Sequence, residues 1–435
     1  MFRLVTVLGK NSSGRSLPAT LAKAGGLASV ILLGTFALSA LAGAQTESTI
    51  YTFALKESFW PKGGLVEDAI GNFYGPTVGG GTYGAGTVYQ LSPPTSGTTW
   101  TKTVLWNFQT WGGTGYTPSS ELAIDKNGTL YGVTWSGGDT HCQCGVLYKL
   151  VPPAIKGGAW TQSILHAFTS NGSDGRLPNV PVVFSSTNIY GVTEQGGPYD
   201  GGVAYQVTPA KSGGKPLYKV LYAFGGNNDA SSPSGPLLLD SAGNLYGVTA
   251  FGGAFNSGAV FKLSPQTSGT WTESILFNFG GGTNSSGITP VGNLLFDSLG
   301  NLYGVTEFGG MSSGFGVAYQ LTPSSGFWTE NVLFNFSDAA GAYPLAGLTW
   351  NPTNGSLYGT ASAGLNHDVV FQLTPSTSGG LWTETSLHQF TFADGGLPWG
   401  RVLRDPTTGY LYGTTYNGGA SGCDGECGVD YQIIP

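Results

Sequence analysis

Short stretches of alternating apolar and polar residues, bounded by glycine or proline, recur along the chain after its first 44 residues. In one copy, residues 236–240 are followed by a turn at 241–244 and by apolar stretches at 245–249, 259–263 and 272–279. A period of two predicts β-strands with one buried face, and the glycine-containing turn predicts a hairpin. We therefore expect four short antiparallel strands in each copy.

A Tyr-Gly pair in the second strand marks seven copies of this unit. Consecutive pairs lie 54–59 residues apart, at Tyr74, Tyr131, Tyr190, Tyr246, Tyr303, Tyr358 and Tyr412. A fixed period of this length is typical of repeat architectures. Four antiparallel strands per repeat are what a propeller blade requires. The sequence predicts an all-β fold, a seven-bladed β-propeller over residues 45–435 built from repeats of about 56 residues.

The two ends of the mature chain predict how the ring closes. Residues 48–53 have the pattern of a fourth strand, whereas the last repeat ends on a third-strand pattern at residues 429–433. If the N-terminal strand completes the last blade, main-chain hydrogen bonds close the ring and no blade edge stays open.

The first 44 residues have the pattern of an export signal. A basic stretch without acidic residues precedes an apolar run at 27–41, and small residues follow at 42–44. This order predicts a signal peptide over residues 1–44, cleaved before Gln45. An uncleaved signal-anchor helix is the alternative, because residues 24–44 carry no charge. We expect a secreted, extracellular protein, with the periplasm as a second location.

Composition and charge narrow the range of partners. Charged residues make up 9% of the chain, Gly occurs 73 times and the net charge is -7. A nucleic-acid-binding surface needs clustered Lys and Arg, and the mature part has no such cluster. We expect no nucleic-acid partner, no membrane association after signal cleavage, and a monomer.

The four cysteines form two close pairs, Cys142 with Cys144 and Cys423 with Cys427. In an exported chain such pairs predict local disulfides. The second bridge is geometrically easy, whereas a bridge across one residue at Cys142 and Cys144 would be strained. Zinc binding with the neighbouring His141 is the alternative, although a lone His beside two thiols is a poor zinc spacing.

The repeated motifs resemble those of a known family. The segments D-x-x-G-N-L-Y-G-x-T, GG, V-F-x-L-T-P and W-T-E-x-x-L-x-x-F are similar to the tandem GloVer repeat of secreted bacterial proteins with a choice of C-terminal anchors. The resemblance implies export and a β-propeller-like fold, but no catalytic residues to carry over. The sequence ends at Pro435 without the anchor of that family, and we expect a released protein.

Ligand contacts are best sought where the repeats differ. The residue after the second-strand Thr varies and should lie beside the blade-joining loop on one face. At this position we predict ligand contacts from Trp135, Glu194, Glu307 and Tyr416. Aromatic rings and acids suit a polysaccharide, and a cell-surface protein is the second expected partner. A glycan hydrolase or lyase using Glu194 and Glu307 is the alternative, and solvated loop residues are the simplest reading.

Metal ligands are not assigned by the sequence. Each of four blade-joining loops carries one acid close to glycine, namely Asp174, Asp229, Asp338 and Asp394. Oxygen-rich loops of extracellular proteins can hold Ca2+, but one acid per loop fits turn chemistry equally well. We expect no cofactor, with Ca2+ as the alternative.

Two further residue types recur and suggest structural roles. Asp at the end of the first strand should accept hydrogen bonds from the hairpin backbone. Trp at the start of the fourth strand should pack between blades.

Overall fold

The computed structural model describes residues 45–435 except 56, 211–213, 227, 282–285, 312–313, 339–340, 363–367 and 420–425. These residues belong to one compact unit, Gln45–Pro435. The predicted signal peptide lies outside the described residues. Within the described ranges, no helix is long and apolar enough to cross a membrane.

The described residues form 33 β-strands, numbered in chain order. The first eleven are β1 (Thr46–Thr52), β2 (Ser58–Phe59), β3 (Val66–Glu67), β4 (Phe73–Thr77), β5 (Gly79–Gly80), β6 (Thr87–Ser92), β7 (Thr101–Asn107), β8 (Ala123–Ile124), β9 (Leu130–Thr134), β10 (Val146–Val151) and β11 (Thr161–Ala167). The next eleven are β12 (Gly175–Arg176), β13 (Val183–Phe184), β14 (Ile189–Val192), β15 (Gln195–Gly196), β16 (Val203–Thr208), β17 (Leu217–Ala223), β18 (Ala230–Pro233), β19 (Leu238–Leu239), β20 (Leu245–Gly252), β21 (Ala259–Pro265) and β22 (Trp271–Asn278). The last eleven are β23 (Gly287–Phe296), β24 (Leu302–Gly309), β25 (Val317–Ser324), β26 (Phe327–Asn335), β27 (Thr349–Trp350), β28 (Leu357–Ala361), β29 (Val369–Thr374), β30 (Thr383–Gln389), β31 (Leu403–Arg404), β32 (Leu411–Thr415) and β33 (Val429–Ile434).

The strands assemble into seven antiparallel sheets, which are the blades of a β-propeller. Blades 1 to 7 are β3-β4-β6-β7, β8-β9-β10-β11, β13-β14-β16-β17, β19-β20-β21-β22, β23-β24-β25-β26, β27-β28-β29-β30 and β31-β32-β33-β1. In blade 4, β18 also pairs with β20, and β2-β5 and β12-β15 form separate two-stranded ribbons. The predicted seven-bladed fold is confirmed.

Ring closure occurs in blade 7, as the sequence predicts. Strand β1 pairs antiparallel with β33, with Thr46 opposite Ile434 and Thr52 opposite Val429. The N–H of Phe53 also donates to the carbonyl of Gly428 at 3.1 Å. The N-terminal strand is therefore the outermost strand of the last blade.

Close packing explains the repeated Tyr-Gly pair. In five blades the third strand carries a fully buried tyrosine, at Tyr89, Tyr148, Tyr205, Tyr319 and Tyr431. A Cβ atom on Gly75 would lie 2.6 Å from the Tyr89 hydroxyl. Only glycine leaves room for that ring on the neighbouring strand.

The repeated aspartate holds the hairpin between the first two strands, as predicted. One carboxylate oxygen of Asp240 accepts from the backbone N–H groups of Ala242 at 2.9 Å and Asn244 at 2.8 Å. The other accepts from the Asn244 amide at 2.7 Å and from the Tyr246 hydroxyl at 3.2 Å. Asp68 and Asp297 make the same set of contacts.

The repeated tryptophan packs against the preceding blade, as predicted. The ring of Trp160 in blade 2 lies 6.2 Å from that of Tyr74 in blade 1. Trp100 in blade 1 lies 6.3 Å from Tyr412 in blade 7, so this contact also crosses the closed ring. The blades are thus joined by equivalent aromatic contacts.

One predicted disulfide is present in full among the described residues. Cys142 and Cys144 are bonded to each other. Cys427 is also disulfide-bonded, and its predicted partner Cys423 lies outside the described residues.

Candidate functional site

Two sets of loops meet on one face of the propeller, which we call the loop face. In every blade a non-glycine residue with positive φ precedes a proline, before the first strand or, in blade 5, near its start; these residues are Trp60, Thr117, Leu177, Ser232, Thr289, Tyr343 and Leu397, with φ between 55 and 62°. Their carbonyls accept from the residue that follows the second strand, for example Trp135 N–H to Thr117 at 3.0 Å and Tyr416 N–H to Leu397 at 2.9 Å. The expectation that both loop sets share a face is confirmed.

A cavity of about 780 Å³ lies on the axis of the ring, lined by residues from all seven blades. It reaches the loop face, because its wall includes Glu194, which follows the second strand of blade 3, and Ala250 and Phe251, near the end of the second strand of blade 4. Pockets for small ligands in proteins usually measure about 300–1,000 Å³.

Two rings of residues from the segments after the prolines form part of the cavity wall. The first residue after each proline forms one ring, of Lys62, Ser119, Asn179, Ser234, Val291, Leu345 and Trp399. The third residue forms the other, of Gly64, Glu121, Pro181, Pro236, Asn293, Gly347 and Arg401. Positions two apart in an extended chain point to the same side. The residue type at these positions varies among the repeats, and this variation is the signal in the sequence that could have identified the cavity wall.

Four polar or aromatic side chains of the cavity wall, Lys62, Asn179, Glu194 and Trp399, are linked by contacts or charge, and we call them the cluster. The Asn179 amide donates to Glu194 Oε2 at 3.0 Å, and Lys62 Nζ lies 5.6 Å from the centroid of the Trp399 ring. Burial raises the pKa of Glu194, while the Lys62 ammonium opposes that shift. Burial also lowers the pKa of Lys62, against the influence of Glu194. The cluster offers a cation, a carboxyl group and an aromatic ring to a ligand.

An ion pair occupies another part of the cavity wall. Arg401 donates to Glu121 through Nη2 at 2.6 Å and through Nε at 3.3 Å. The Glu121 carboxylate raises the pKa of Arg401. Because the two charges neutralise each other, the pair is suited to a structural role in the cavity wall and not to proton transfer.

Large aromatic side chains are exposed on the loop face. Trp111 is 58% exposed and Tyr199 62%. Other exposed rings on the same face are Tyr83, Phe255 and Phe392 in loops, and Phe251 and Phe308 near the ends of β20 and β24. Exposed large rings gathered on one face of a soluble protein usually mark a binding surface.

The structure places the four predicted ligand residues around the loop face without bringing them into one cluster. Glu194 lines the cavity. Tyr416 stacks on the cavity residue Trp399 at 4.5 Å and on Trp60 at 5.6 Å. Trp135 and Glu307 are half-buried at the equivalent positions of their blades and are not among the residues that line the cavity. Burial raises the pKa of Glu307. Their ligand roles stay predictions.

The acids of the joining loops contact neighbouring side chains. Asp174 lies 3.0 Å from His166 Nε2, Asp394 lies 3.1 Å from His388 Nε2, and the Tyr222 hydroxyl donates to Asp229 at 3.1 Å. Asp338 also makes a hydrogen-bonding or electrostatic interaction with another residue. These contacts do not test Ca2+ binding, and a Ca2+ site in the joining loops stays an expectation.

Comparison with known proteins identifies the repeat and the fold. The Gloeobacter/Verrucomicrobia repeat pattern matches residues 33–219 and 178–427. No curated protein matches the sequence. A chain of the mitotic checkpoint complex is 12% identical, with 98% of this chain and 99% of that chain covered and a TM-score of 0.51.

Two further solved structures are similar in fold. A protein of unknown function from Dyadobacter fermentans is 12% identical, with 90% and 99% of the two chains covered and a TM-score of 0.46. Trypanosoma rangeli sialidase, solved with sialic acid, is 12% identical, with 91% and 59% covered and a TM-score of 0.40. At this identity the likeness concerns the fold and leaves the activity open.

Proposed function

Because the chain belongs to the Gloeobacter/Verrucomicrobia repeat family and folds as a seven-bladed propeller, we propose that it is an exported binding protein of the bacterial cell exterior. It holds a polysaccharide on the loop face, with part of the glycan in the axial cavity. The observation that carries this proposal is the set of exposed aromatic rings on the loop face, to which the axial cavity also reaches through Phe251.

The chemistry of the mouth suits a sugar chain. Trp399 and the exposed rings of the loop face offer flat apolar surfaces, on which the apolar face of a pyranose can stack. Lys62 lies near the Trp399 ring, and Asn179 and Glu194 line the same cavity; all three offer hydrogen-bond donors or acceptors for hydroxyl groups. An apolar wall with a few polar groups that fix orientation is the usual construction of a ligand site.

The alternative, a glycan hydrolase or lyase, has weaker support. Acid/base hydrolysis of a glycoside uses two carboxyl groups on opposite sides of one bond. Among the described cavity-lining residues the carboxyl groups are Glu121 and Glu194, and Glu121 is held by Arg401. Glu307, the second acid predicted for catalysis, is not a lining residue.

Retention of the mature chain on a panel of immobilised polysaccharides tests the proposal. We expect saturable retention on one class of polysaccharide, with no new reducing or unsaturated ends. Trp111→Ala should weaken retention, whereas Phe327→Ala should not. These rings are matched in exposure, 58% and 60%, but Phe327 begins β26 and lies beside the β25-β26 turn at the opposite face. Repeating the assay with a chelator tests whether Ca2+ takes part.

Three results would count against the proposal. Absence of retention on every polysaccharide would favour a protein partner. Release of reducing or unsaturated ends would favour the enzyme. An equal loss of retention in Trp111→Ala and Phe327→Ala would show that the polysaccharide does not bind specifically at the loop face.

A further inference from the structure

Three positions recur where one blade contacts the next, and we call each set an interblade trio. The first is the residue two before the phenylalanine that ends the fourth strand, the second is the acid of the joining loop, and the third lies in the fourth strand of the next blade. Four trios have an acid in the loop whose carboxylate lies near the other two members: Tyr51-Glu57-Lys102, His166-Asp174-Tyr218, Tyr222-Asp229-Glu273 and His388-Asp394-Glu47.

Between blades 7 and 1 the trio contains its own cation. Lys102 Nζ lies 3.3 Å from Glu57 Oε2, and the Tyr51 hydroxyl donates to the same oxygen at 3.1 Å. The ammonium group lowers the pKa of the Glu57 carboxyl. In this trio, position three supplies a positive charge to the acid of the loop.

Between blades 6 and 7 the same positions hold two carboxyl groups and an imidazole. The ligand atoms of Glu47, His388 and Asp394 all lie within 4.8 Å of one another, and all three residues are half-buried. None of the ion pairs among the described residues joins Glu47 or Asp394 to a lysine or arginine. Two carboxylates converge there without the cation that Lys102 supplies in the next trio.

We propose that Glu47, His388 and Asp394 bind a divalent transition-metal ion of the Zn2+ class. Zn2+ is bound by histidine nitrogen and carboxylate oxygen at about 2.0–2.2 Å, which keeps its ligand atoms about 3.4 Å apart. Small side-chain rotations bring atoms within 4.8 Å of one another to that spacing. The imidazole favours this class over Ca2+, which takes six to eight oxygen ligands.

Neighbouring groups orient two of the three ligands. Asp394 Oδ1 accepts from the Thr391 N–H at 2.8 Å and from its hydroxyl at 3.0 Å, which leaves Oδ2 toward His388. The His388 ring packs edge-on against Phe390 at 4.7 Å. Such outer contacts hold ligands in place and strengthen metal binding.

The position of the site gives the ion a structural role. Glu47 lies in β1, the strand that closes the ring, whereas His388 lies in β30 of blade 6 and Asp394 in the loop between the two blades. One ion bound to all three ties the closing strand to the preceding blade. Since the site exists only in the folded ring, bound metal stabilises that ring.

Calorimetric titration of ZnCl2 into the chelator-treated mature chain tests the proposal, together with thermal unfolding. We expect binding that saturates at one ion per chain, with a rise in Tm. Glu47→Gln, which keeps the size of the side chain, should weaken Zn2+ binding roughly tenfold or more and abolish most of the Tm rise. His388→Ala should do the same. His141→Ala is the control, because His141 is an exposed histidine 3.4 Å from the Asp139 carboxylate, and it should bind as the wild type.

Two results would overturn the proposal. One is the absence of saturable Zn2+ binding to the folded wild type. The other is unchanged affinity in Glu47→Gln, which stays informative if His388→Ala fails to fold.

Discussion

Arg401 of blade 7 and Glu121 of blade 2 form an ion pair at 2.6 Å beside Gly64, which precedes the first strand of blade 1. The blade 1 residue at the same level is Gly64, whose Cβ position lies 2.9 Å from the Arg401 carbonyl and 3.0 Å from Glu121 Oε2. The pair links two blades that are not neighbours. It depends on the absence of a side chain between them.

Loss of this ion pair should destabilise the propeller. Glu121→Gln leaves the Arg401 guanidinium in the cavity wall without its counter-charge. We expect the free energy of unfolding in denaturant to fall by about 1–3 kcal/mol, less than for a fully buried pair because Arg401 is one-third exposed. Arg176→Gln breaks the exposed pair with Asp200 and serves as the control, with an expected change below about 1 kcal/mol. Equal effects would contradict a structural role for the cavity pair.

A methyl group at Gly64 should also destabilise the propeller, because it would displace the Arg401-Glu121 ion pair. Gly64→Ala places an atom against backbone and the Glu121 carboxylate at distances that require a shift. We expect a lower Tm for Gly64→Ala. Gly226→Ala is the matched control, because its nearest atoms lie 3.9 Å away and its φ is ordinary. A wild-type Tm in Gly64→Ala would show that the ion pair moves freely.

A buried acid at the closing blade should make stability depend on pH. Asp430 is fully buried and accepts from the Tyr89 hydroxyl at 2.9 Å; burial raises its pKa from 3.8 to about 8. Between those values the folded chain holds one proton more than the unfolded chain, so the free energy of unfolding falls as pH rises, by about 1.4 kcal/mol per pH unit for one group.

Asp430→Asn removes this pH dependence of the free energy of unfolding, and the asparagine can still accept a hydrogen bond from the Tyr89 hydroxyl. In urea unfolding between pH 5 and pH 8, we expect the variant to gain stability relative to the wild type as pH rises. A stability difference that stays constant across this range would contradict a protonated Asp430.

The turn aspartate Asp240 should make stability depend on pH in the opposite direction from Asp430. Hydrogen bonds from Asn244, Tyr246 and the turn backbone lower the pKa of Asp240 against the effect of burial. Its stabilising contribution is therefore present above pH 3.8 and is lost as pH falls through the lower folded pKa. Asp240→Ala should cost about 1 kcal/mol at neutral pH, measured by denaturant unfolding. Ser241→Ala, in the exposed part of the same turn, should cost little, and a similar loss there would contradict the role of Asp240.

The repeat pattern predicted most of the fold because its causes are local and recur seven times. Gly75 fits against Tyr89, Asp240 holds its hairpin, and the pattern of residues 48–53 identified the closing strand. Each is a contact between neighbouring strands or residues, so the sequence contains its signature.

The cavity was harder to predict because its groups come together only through ring closure. Glu121 and Arg401 are separated by 280 residues, and no periodic signal relates them. Lys62 and Asn179 occupy the position after the proline, where the residue type varies among the repeats. No motif in the sequence marks that position as part of a cavity wall. Glu194 was found because it follows the second-strand Thr, and it is the predicted ligand residue that lines the cavity.

The most direct test of the proposed binding site is the dissociation constant of a soluble oligosaccharide, taken from whichever polysaccharide retains the mature chain. It should be measured by calorimetry for the wild type, Lys62→Met and Phe327→Ala, after each is shown to fold by circular dichroism. We predict binding weakened about tenfold or more in Lys62→Met, since one hydrogen bond from a charged group contributes about 1.5–3 kcal/mol, and wild-type binding in Phe327→Ala. Wild-type affinity in Lys62→Met would contradict a ligand in the axial cavity.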